Sequence, residues 1–425
     1  MGDSWISASR SQPLTVTVVG PSTRFYSGIS VYTNRLSHAL SSTLDTRVIL
    51  LRRLVPKFLF PGKTRVGKAK SDLRYDSIHT YDGIDWFWIP SILPAIRSIL
   101  SSPTCLVLQW WSASTLHTYI LLALVARLGG STVVIEFHEV QDPGEEAIPL
   151  LSLYARIFVP LLIRLNQGAV VHTSHAYELL DARYDIRQLD VEIIPLGPFD
   201  HYNVSRDKTD ESLHPAPFRI LFFGLIRPYK GAEDLVEAFS GLSQSEVEGL
   251  ELIVAGETWE GWTLPARLIE NSPYRDQIRF INRYLSDTEV GTLFTTSDVL
   301  VLPYRRATSS GPLNIAMNCG LPVILYDVPE LREAAHSYSG ARFVAVNDVS
   351  ALREAIRQIR YEPVVTHGGP ANWQRTRSAY EALIGRLHAS SPSKRARIRR
   401  PRHRPIVECS LKPNALEPRL HHSST

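Results

Sequence analysis

The sequence predicts an α/β protein of two facing domains, each a parallel, doubly wound sheet, with a cleft between them. Three observations predict it. Short β-branched runs alternate with helix-length amphipathic segments, as in βα units whose strands pair in parallel. A polar stretch over residues 198–217, with Asp, Ser, Lys, His and prolines, interrupts that alternation once and reads as a linker. The 425 residues are too many for one hydrophobic core and suit two domains plus extras.

In the first domain, residues 1–197, strands are expected at Leu14–Val19, Thr46–Leu51, Asp85–Ile89, Thr104–Gln109, Thr132–Phe137, Gly168–His172 and Val191–Ile194. Val31–Leu40 reads as a helix. Ser114–Leu128 is apolar nearly all round, as a buried helix would be, and Gly129-Gly130 stops it. The alternation restarts in a second domain, residues 218–368. Its strands are expected at Phe218–Phe223, Leu250–Ala255, Gln277–Ile281, Asp298–Leu302, Pro322–Leu325 and Arg342–Val346, and its helices at Ala232–Phe239, Asp287–Thr295, Pro312–Asn318 and Ser350–Ile359. A last helix, Trp373–Leu387 within residues 369–389, is expected to pack back towards the first domain, ahead of a tail over 390–425.

Charge is divided unevenly along the chain. Of 46 Lys and Arg and 42 Asp and Glu, the tail holds nine basic and two acidic side chains, a net of +7. The rest carries 37 against 40, a net of −3. A near-neutral body argues against nucleic acid as a partner. The tail reads as a disordered basic segment, with attraction to an anionic membrane surface as its functional reading. Cys105, Cys319 and Cys409 form neither a C-x-x-C pair nor an even set, which suits a reducing compartment. The longest apolar run, near Ile120–Val125, is too short to span a bilayer. A cytoplasmic protein, peripheral at the membrane if the tail engages it, is the expectation.

The segment Leu221-Phe222-Phe223-Gly224-Leu225-Ile226-Arg227-Pro228-Tyr229-Lys230-Gly231 carries the clearest chemistry. A buried strand runs into a glycine turn, offers two cations three residues apart, and enters a helix through Gly231. Gly224 lets backbone approach a ligand, Arg227 can grip phosphate oxygens as a planar fork, and Lys230 adds a point charge. A second strand ends in Tyr304-Arg305-Arg306-Ala307-Thr308-Ser309-Ser310-Gly311-Pro312-Leu313, and a helix is expected to start at Pro312. Thr308, Ser309, Ser310 and the Gly311 amide crowd that helix start, where free N–H groups and the helix dipole favour an anion. A serine cap alone would use the same geometry. In the first domain, Gly28 at a helix start would admit a diphosphate from the opposite side. His138-Glu139 follows the strand Thr132–Phe137 at its carboxyl end, beside the expected cleft.

Taken together these residues resemble the retaining GT-B glycosyltransferases of family four (glycosyltransferase group one), over nearly the whole chain to about Leu387. The resemblance implies two facing Rossmann-like domains. It implies that Gly224, Arg227, Lys230 and Gly231 grip the donor diphosphate, with Ser310, Gly311 and Leu313 at the facing helix. It also implies that Gly28 belongs to the acceptor-domain glycine loop and that His138 lies near the transferred sugar. His138, Arg227 and Lys230 are the expected catalytic groups, and Thr308, Ser309 and Asn314 the expected sugar and ribose neighbours. Val170–Ser174, Ile194–Gly197 and Met317–Val323 match further landmarks of the family.

The chain departs from the family at its paired glutamates, where Ala307 and Ile315 stand. Ser27 replaces the first glycine of the usual pair. No Asp-x-Asp occurs, so no metal and no cofactor are expected. The resemblance thus implies transfer of a sugar, with retention, from a UDP- or GDP-linked donor to a saccharide or lipid-linked acceptor. A silent nucleotide-sugar-binding protein and a sugar-nucleotide epimerase are the alternatives.

Overall fold

Two separate parallel sheets, each with helices on both faces, carry the chain. The computed structural model describes residues 15–24, 27–53, 73–85, 88–140, 148–202, 217–259, 261–307, 310–362, 365–369 and 372–390. Both sheets belong to one compact unit, Met1–His388.

The first sheet comprises β1 (Thr15–Pro21), β2 (Asp45–Arg53), β3 (His79–Asp85), β4 (Cys105–Trp110), β5 (Thr132–Phe137), β6 (Gly168–Val171) and β7 (Asp190–Ile193), in the order β3-β2-β1-β4-β5-β6-β7. Its helices are α1 (Gly28–Ser41), α2 (Leu93–Ser101), α3 (Leu116–Leu128), α4 (Pro149–Leu165) and α5 (Ser174–Arg183). The second sheet comprises β8 (Phe218–Phe223), β9 (Leu250–Ala255), β10 (Ile278–Ile281), β11 (Val299–Leu302), β12 (Val323–Tyr326) and β13 (Ala341–Val344), in the order β10-β9-β8-β11-β12-β13. Its helices are α6 (Ala232–Ser240), α7 (Gln244–Val247), α8 (Leu264–Glu270), α9 (Asp287–Thr296), α10 (Gly311–Asn318), α11 (Pro329–Ala334) and α12 (Val349–Ile359).

Every pair of neighbouring strands in the two sheets runs parallel, and both sheets reverse their strand order between the first strand and the fourth. Ligands in such folds bind outside the carboxyl ends of the strands at that reversal. In the second lobe the reversal lies between β8 and β11, so the β8–α6 and β11–α10 loops flank it. The first lobe presents the β1–α1 loop at its own reversal.

The last helix, α13 (Trp373–Ala389), returns to the first lobe. Asn372 caps it, its Oδ1 accepting the Arg375 amide at 2.7 Å. Tyr380, Leu383, Ile384 and Leu387 then pack with Val16, Val18, Tyr32, Val107 and Val134 over one face of the first sheet. On the opposite face, α2, α3 and α4 share a core with Ile49, Leu106, Leu108, Val133 and Ile135.

One expected strand is wrong. In place of the strand expected at Asp85–Ile89, the structure has the polar strand His79–Asp85, and Ile89–Ile92 forms a 3-10 turn with Pro90. β3 is an edge strand, so it needs only one apolar neighbour, and partial exposure of most of its residues masks it in the sequence. Trp86 and Phe87 lie outside the described residues, as does the tail from residue 391. Among the described residues no helix is long and apolar enough to cross a membrane.

Candidate functional site

The geometry begins with three glycines. At the end of β8, Gly224 has φ +131°, and Gly256, following β9, has φ +148°. A Cβ on Gly256 would sit 1.7 Å from the Gly224 carbonyl oxygen, so two neighbouring strands leave the sheet in backbone contact. Past Gly224 the chain stays extended through Arg227 and makes a 3-10 turn over Pro228–Lys230. Gly231, at φ +63°, then caps α6, and a Cβ there would meet the Pro303 carbonyl oxygen at 2.1 Å. The two loops at the sheet reversal are thus packed against each other through positions where a side chain cannot fit.

Arg305 fastens them. Its backbone amide donates to Tyr229 O (2.9 Å), and its guanidinium donates to Pro228 O (2.5 Å), Glu233 (2.6 Å), Asp234 (2.6 Å) and Asn347 (2.8 Å). Tyr326 donates to the other Asp234 oxygen at 2.9 Å. Glu233 and Asp234 occupy the first turn of α6, where the helix dipole favours them. A planar donor with five N–H groups can serve two carboxylates and a carbonyl at once.

The cations sit on this frame. Lys230 Nζ lies 3.7 Å from the Tyr304 ring centroid and 5.3 Å from that of Tyr229. Burial pushes the Lys230 ammonium down to about 7, with Arg227 adding to the fall and Glu139 opposing it. Glu139 belongs to the first lobe, so Lys230 feels a charge from across the gap. The Arg227 guanidinium lies over Trp259 (5.7 Å) and Tyr229 (5.5 Å).

Facing them is the start of α10. Ser310 is its N-cap and accepts the Leu313 amide at 3.3 Å, while Asn314 Nδ2 donates to Ser310 O at 3.0 Å. The helix begins at Gly311, with Pro312 second, one residue earlier than expected. A Cβ on Gly224 would lie 3.5 Å from Pro312 and 3.6 Å from the Tyr304 hydroxyl, which puts the glycine turn against the α10 start. Leu313 is buried and its amide already serves the cap; Asn314 is buried and braces the same turn. Both shape the helix start, and neither lines the cavity. Thr308 and Ser309 lie outside the described residues.

The first lobe supplies the other wall. Ser27 caps α1 in a reciprocal box with Ser30, and Gly28 follows, with nothing within 4 Å of a built Cβ. Ser27, Gly28 and Val31 line a cavity of about 230 Å³ together with Gly224, Gly256 and Gly311 of the second lobe. Phe199, Tyr202, Trp259, Tyr284 and Leu285 complete an apolar, aromatic wall that sequence reading missed. Trp259 and Trp262 after β9 were the available signal; Phe199 and Tyr202 sat in a stretch read only as linker.

His138 is placed differently from expectation. It is buried, it is not among the cavity-lining residues, and both ring nitrogens are engaged. Gln109 donates its amide to Glu136, which leaves its Oε1 to accept His138 Nε2–H at 2.6 Å. Tyr32 donates to Glu136 at 2.8 Å, and His172 Nδ1 donates to Ile194 O at 2.9 Å. The remaining nitrogens, His138 Nδ1 and His172 Nε2, face each other at 3.2 Å, with Glu136 Oε1 3.7 Å from His172. Burial, and next the neighbouring His172, hold the His138 imidazole well below the usual histidine range. Glu136, His138 and His172 place their ligating atoms within 4.8 Å of one another, the one such grouping among the described residues. His138 is therefore part of a buried polar network under the cleft, and the catalytic role expected for it does not follow from its position.

Comparison with known proteins agrees with this architecture. Residues 205–363 match the model of the glycosyl transferases group 1 family. Over those residues the chain resembles that family. A GDP-mannose:glycolipid 4-beta-D-mannosyltransferase of Xanthomonas campestris pv. campestris is 29% identical over 117 residues, 27% of this chain and 32% of that one. A D-inositol 3-phosphate glycosyltransferase of Pseudarthrobacter chlorophenolicus is 24% identical over 265 residues, 61% of this chain and 56% of that one. The chain thus aligns with about a third of the length of the mannosyltransferase and just over half that of the inositol enzyme. Among solved structures, a sucrose-phosphate synthase from Thermosynechococcus elongatus superposes with a TM-score of 0.60 at 16% identity, covering 88% of this chain and 97% of that one, so the fold is GT-B.

At the two positions where the family it resembles carries glutamates, this chain has buried apolar groups. Ala307 and Ile315 both join the second-lobe core, and Ile315 also lines the cavity.

Proposed function

We propose that this chain transfers a sugar from a nucleotide diphosphate donor, UDP- or GDP-linked, to a saccharide or lipid-linked acceptor. One observation carries the reading. A single cavity collects Gly28 from one lobe and Gly224 and Gly311 from the other, and the Lys230 and Arg227 cations stand on the adjoining loop.

The donor diphosphate lies between that loop and the start of α10, its charge met by Arg227, Lys230 and the Gly311 amide, without a metal ion. As the nucleotide leaves, negative charge grows on the β-phosphate, and fixed cations and N–H dipoles stabilise that charge more than they stabilise the bound donor. The base and ribose occupy the aromatic wall, and the acceptor enters from the Gly28 side. Retention of the donor's anomeric configuration is the stereochemistry we assign.

The test is transfer itself. The chain is incubated with UDP- or GDP-sugars and saccharide or glycolipid acceptors, and the anomeric proton of the product is read by NMR. A product keeping the donor's configuration supports the reading. The Xanthomonas relative is named for a β linkage, which from an α-linked donor is inversion; an inverted product would remove the retention assignment while leaving the transferase intact.

A second reading, a silent nucleotide-sugar-binding protein, is favoured by Ala307 and Ile315 standing where the family has carboxylates. Tight donor binding without transfer to any acceptor would establish it. Conversion of the donor alone, with no acceptor, would instead indicate an epimerase.

A further inference from the structure

The outer helices of the first lobe present an apolar surface that the transfer chemistry does not use. α2, α3 and α4 lie side by side on one face of the first sheet, α3 packing against both neighbours. Their inward residues fill the core, yet their outward positions are also apolar. On α4, Leu150, Leu153, Ile157 and Leu161 recur at helical spacing and are exposed, Leu150 at 79%. Leu124 and Leu128 continue the surface on α3, with Leu128 at 80%, and Leu93 and Leu100 continue it on α2. Trp88 and Ile89 extend it at the approach to α2. Soluble monomers rarely expose contiguous apolar patches beyond a few hundred Å².

The charge on this layer has one sign. None of the three helices contains Asp or Glu, while Arg97, Arg127, Arg156 and Arg164 are all exposed on them. A helix with an outward apolar stripe flanked by arginines lies in the interface of a lipid bilayer, its aliphatic groups among the acyl chains and its cations on anionic headgroups. The placement also has a direction. α4 begins on the carboxyl-end side of β5, and Trp88 and Ile89 follow the carboxyl end of β3. The cleft end of the first lobe is therefore an edge of the apolar layer.

We propose that the α2–α3–α4 face docks on the surface of an anionic phospholipid bilayer, which sets the acceptor side of the cleft at the membrane. This surface is separate from the cations and glycines assigned to the donor, so lipid binding and sugar transfer can fail independently.

The test uses the full chain and sedimentation with vesicles of phosphatidylcholine alone or with phosphatidylglycerol added. The natural protein is expected to sediment with the anionic vesicles, and salt should weaken the association without abolishing it. The exposed triple variant Leu150→Ser, Leu153→Ser, Ile157→Ser should lower vesicle partitioning at least about tenfold while keeping its melting temperature and donor affinity. Three results would overturn the proposal. They are no binding to anionic vesicles, equal binding by the triple variant, or a concentration-dependent dimer of the natural protein that the triple variant abolishes, which would make a second copy the occupant.

Discussion

Donor affinity should depend on pH through Lys230. Its ammonium is held near pH 7 in the free protein by burial and by Arg227. A bound diphosphate places two anionic phosphate groups beside it, favouring the protonated form. The intact diphosphate of a nucleotide sugar does not titrate in this range, so the lysine carries the effect. The sign follows directly: raising the pH through 7 strips the free site of a cation, so binding weakens as pH rises.

If the diphosphate restores Lys230 to its ordinary value of about 10.5, affinity should fall about fivefold between pH 7 and 8 and about fiftyfold between pH 7 and 9. Calorimetry in buffers of different ionisation heat should then record uptake of about 0.5 proton per donor at pH 7 and about 0.9 at pH 8. Lys230→Arg, charged throughout, should bind with a flat profile. A natural protein whose donor affinity is constant from pH 7 to 9, with no proton uptake, would refute the placement of this lysine on the diphosphate.

Further outcomes follow from the same frame. Arg227→Ala should lower kcat by roughly 10²- to 10³-fold, about the loss of one transition-state donor, with an unchanged thermal melt. Gly231→Ala should sharply weaken donor binding, measured by titration, because its Cβ would collide with the Pro303 carbonyl and separate the two loops. Arg305→Ala leaves Glu233 and Asp234 buried without their cation; a lower melting temperature and weaker donor binding should appear together. Chelation by EDTA should leave transfer unchanged, and a loss restored by added divalent ion would contradict neutralisation by side chains.

Much of this frame was legible in the chain. β5, β8 and β9 have the bounds expected from their apolar runs, because each is a buried central strand bounded by polar or glycine residues. The Gly224–Gly231 segment was readable because its glycines and cations are close in sequence. β3 was not, since an edge strand can be polar. Nor was Arg305, whose partners Glu233 and Asp234 lie some seventy positions earlier and meet it only across the sheet reversal. The fate of His138 was hidden for the same reason: Gln109 and His172 come from neighbouring strands and engage both its ring nitrogens. Local pattern identifies what a segment can do, and distant packing decides whether a side chain is free to do it.

The most direct test is a crystal structure with a bound UDP- or GDP-sugar. The diphosphate should lie between Arg227, Lys230 and the amides at the start of α10, with the base against Trp259 and Tyr284 and no metal bridging the phosphates. A diphosphate bound elsewhere, or held by a divalent ion remote from these cations, would contradict the account.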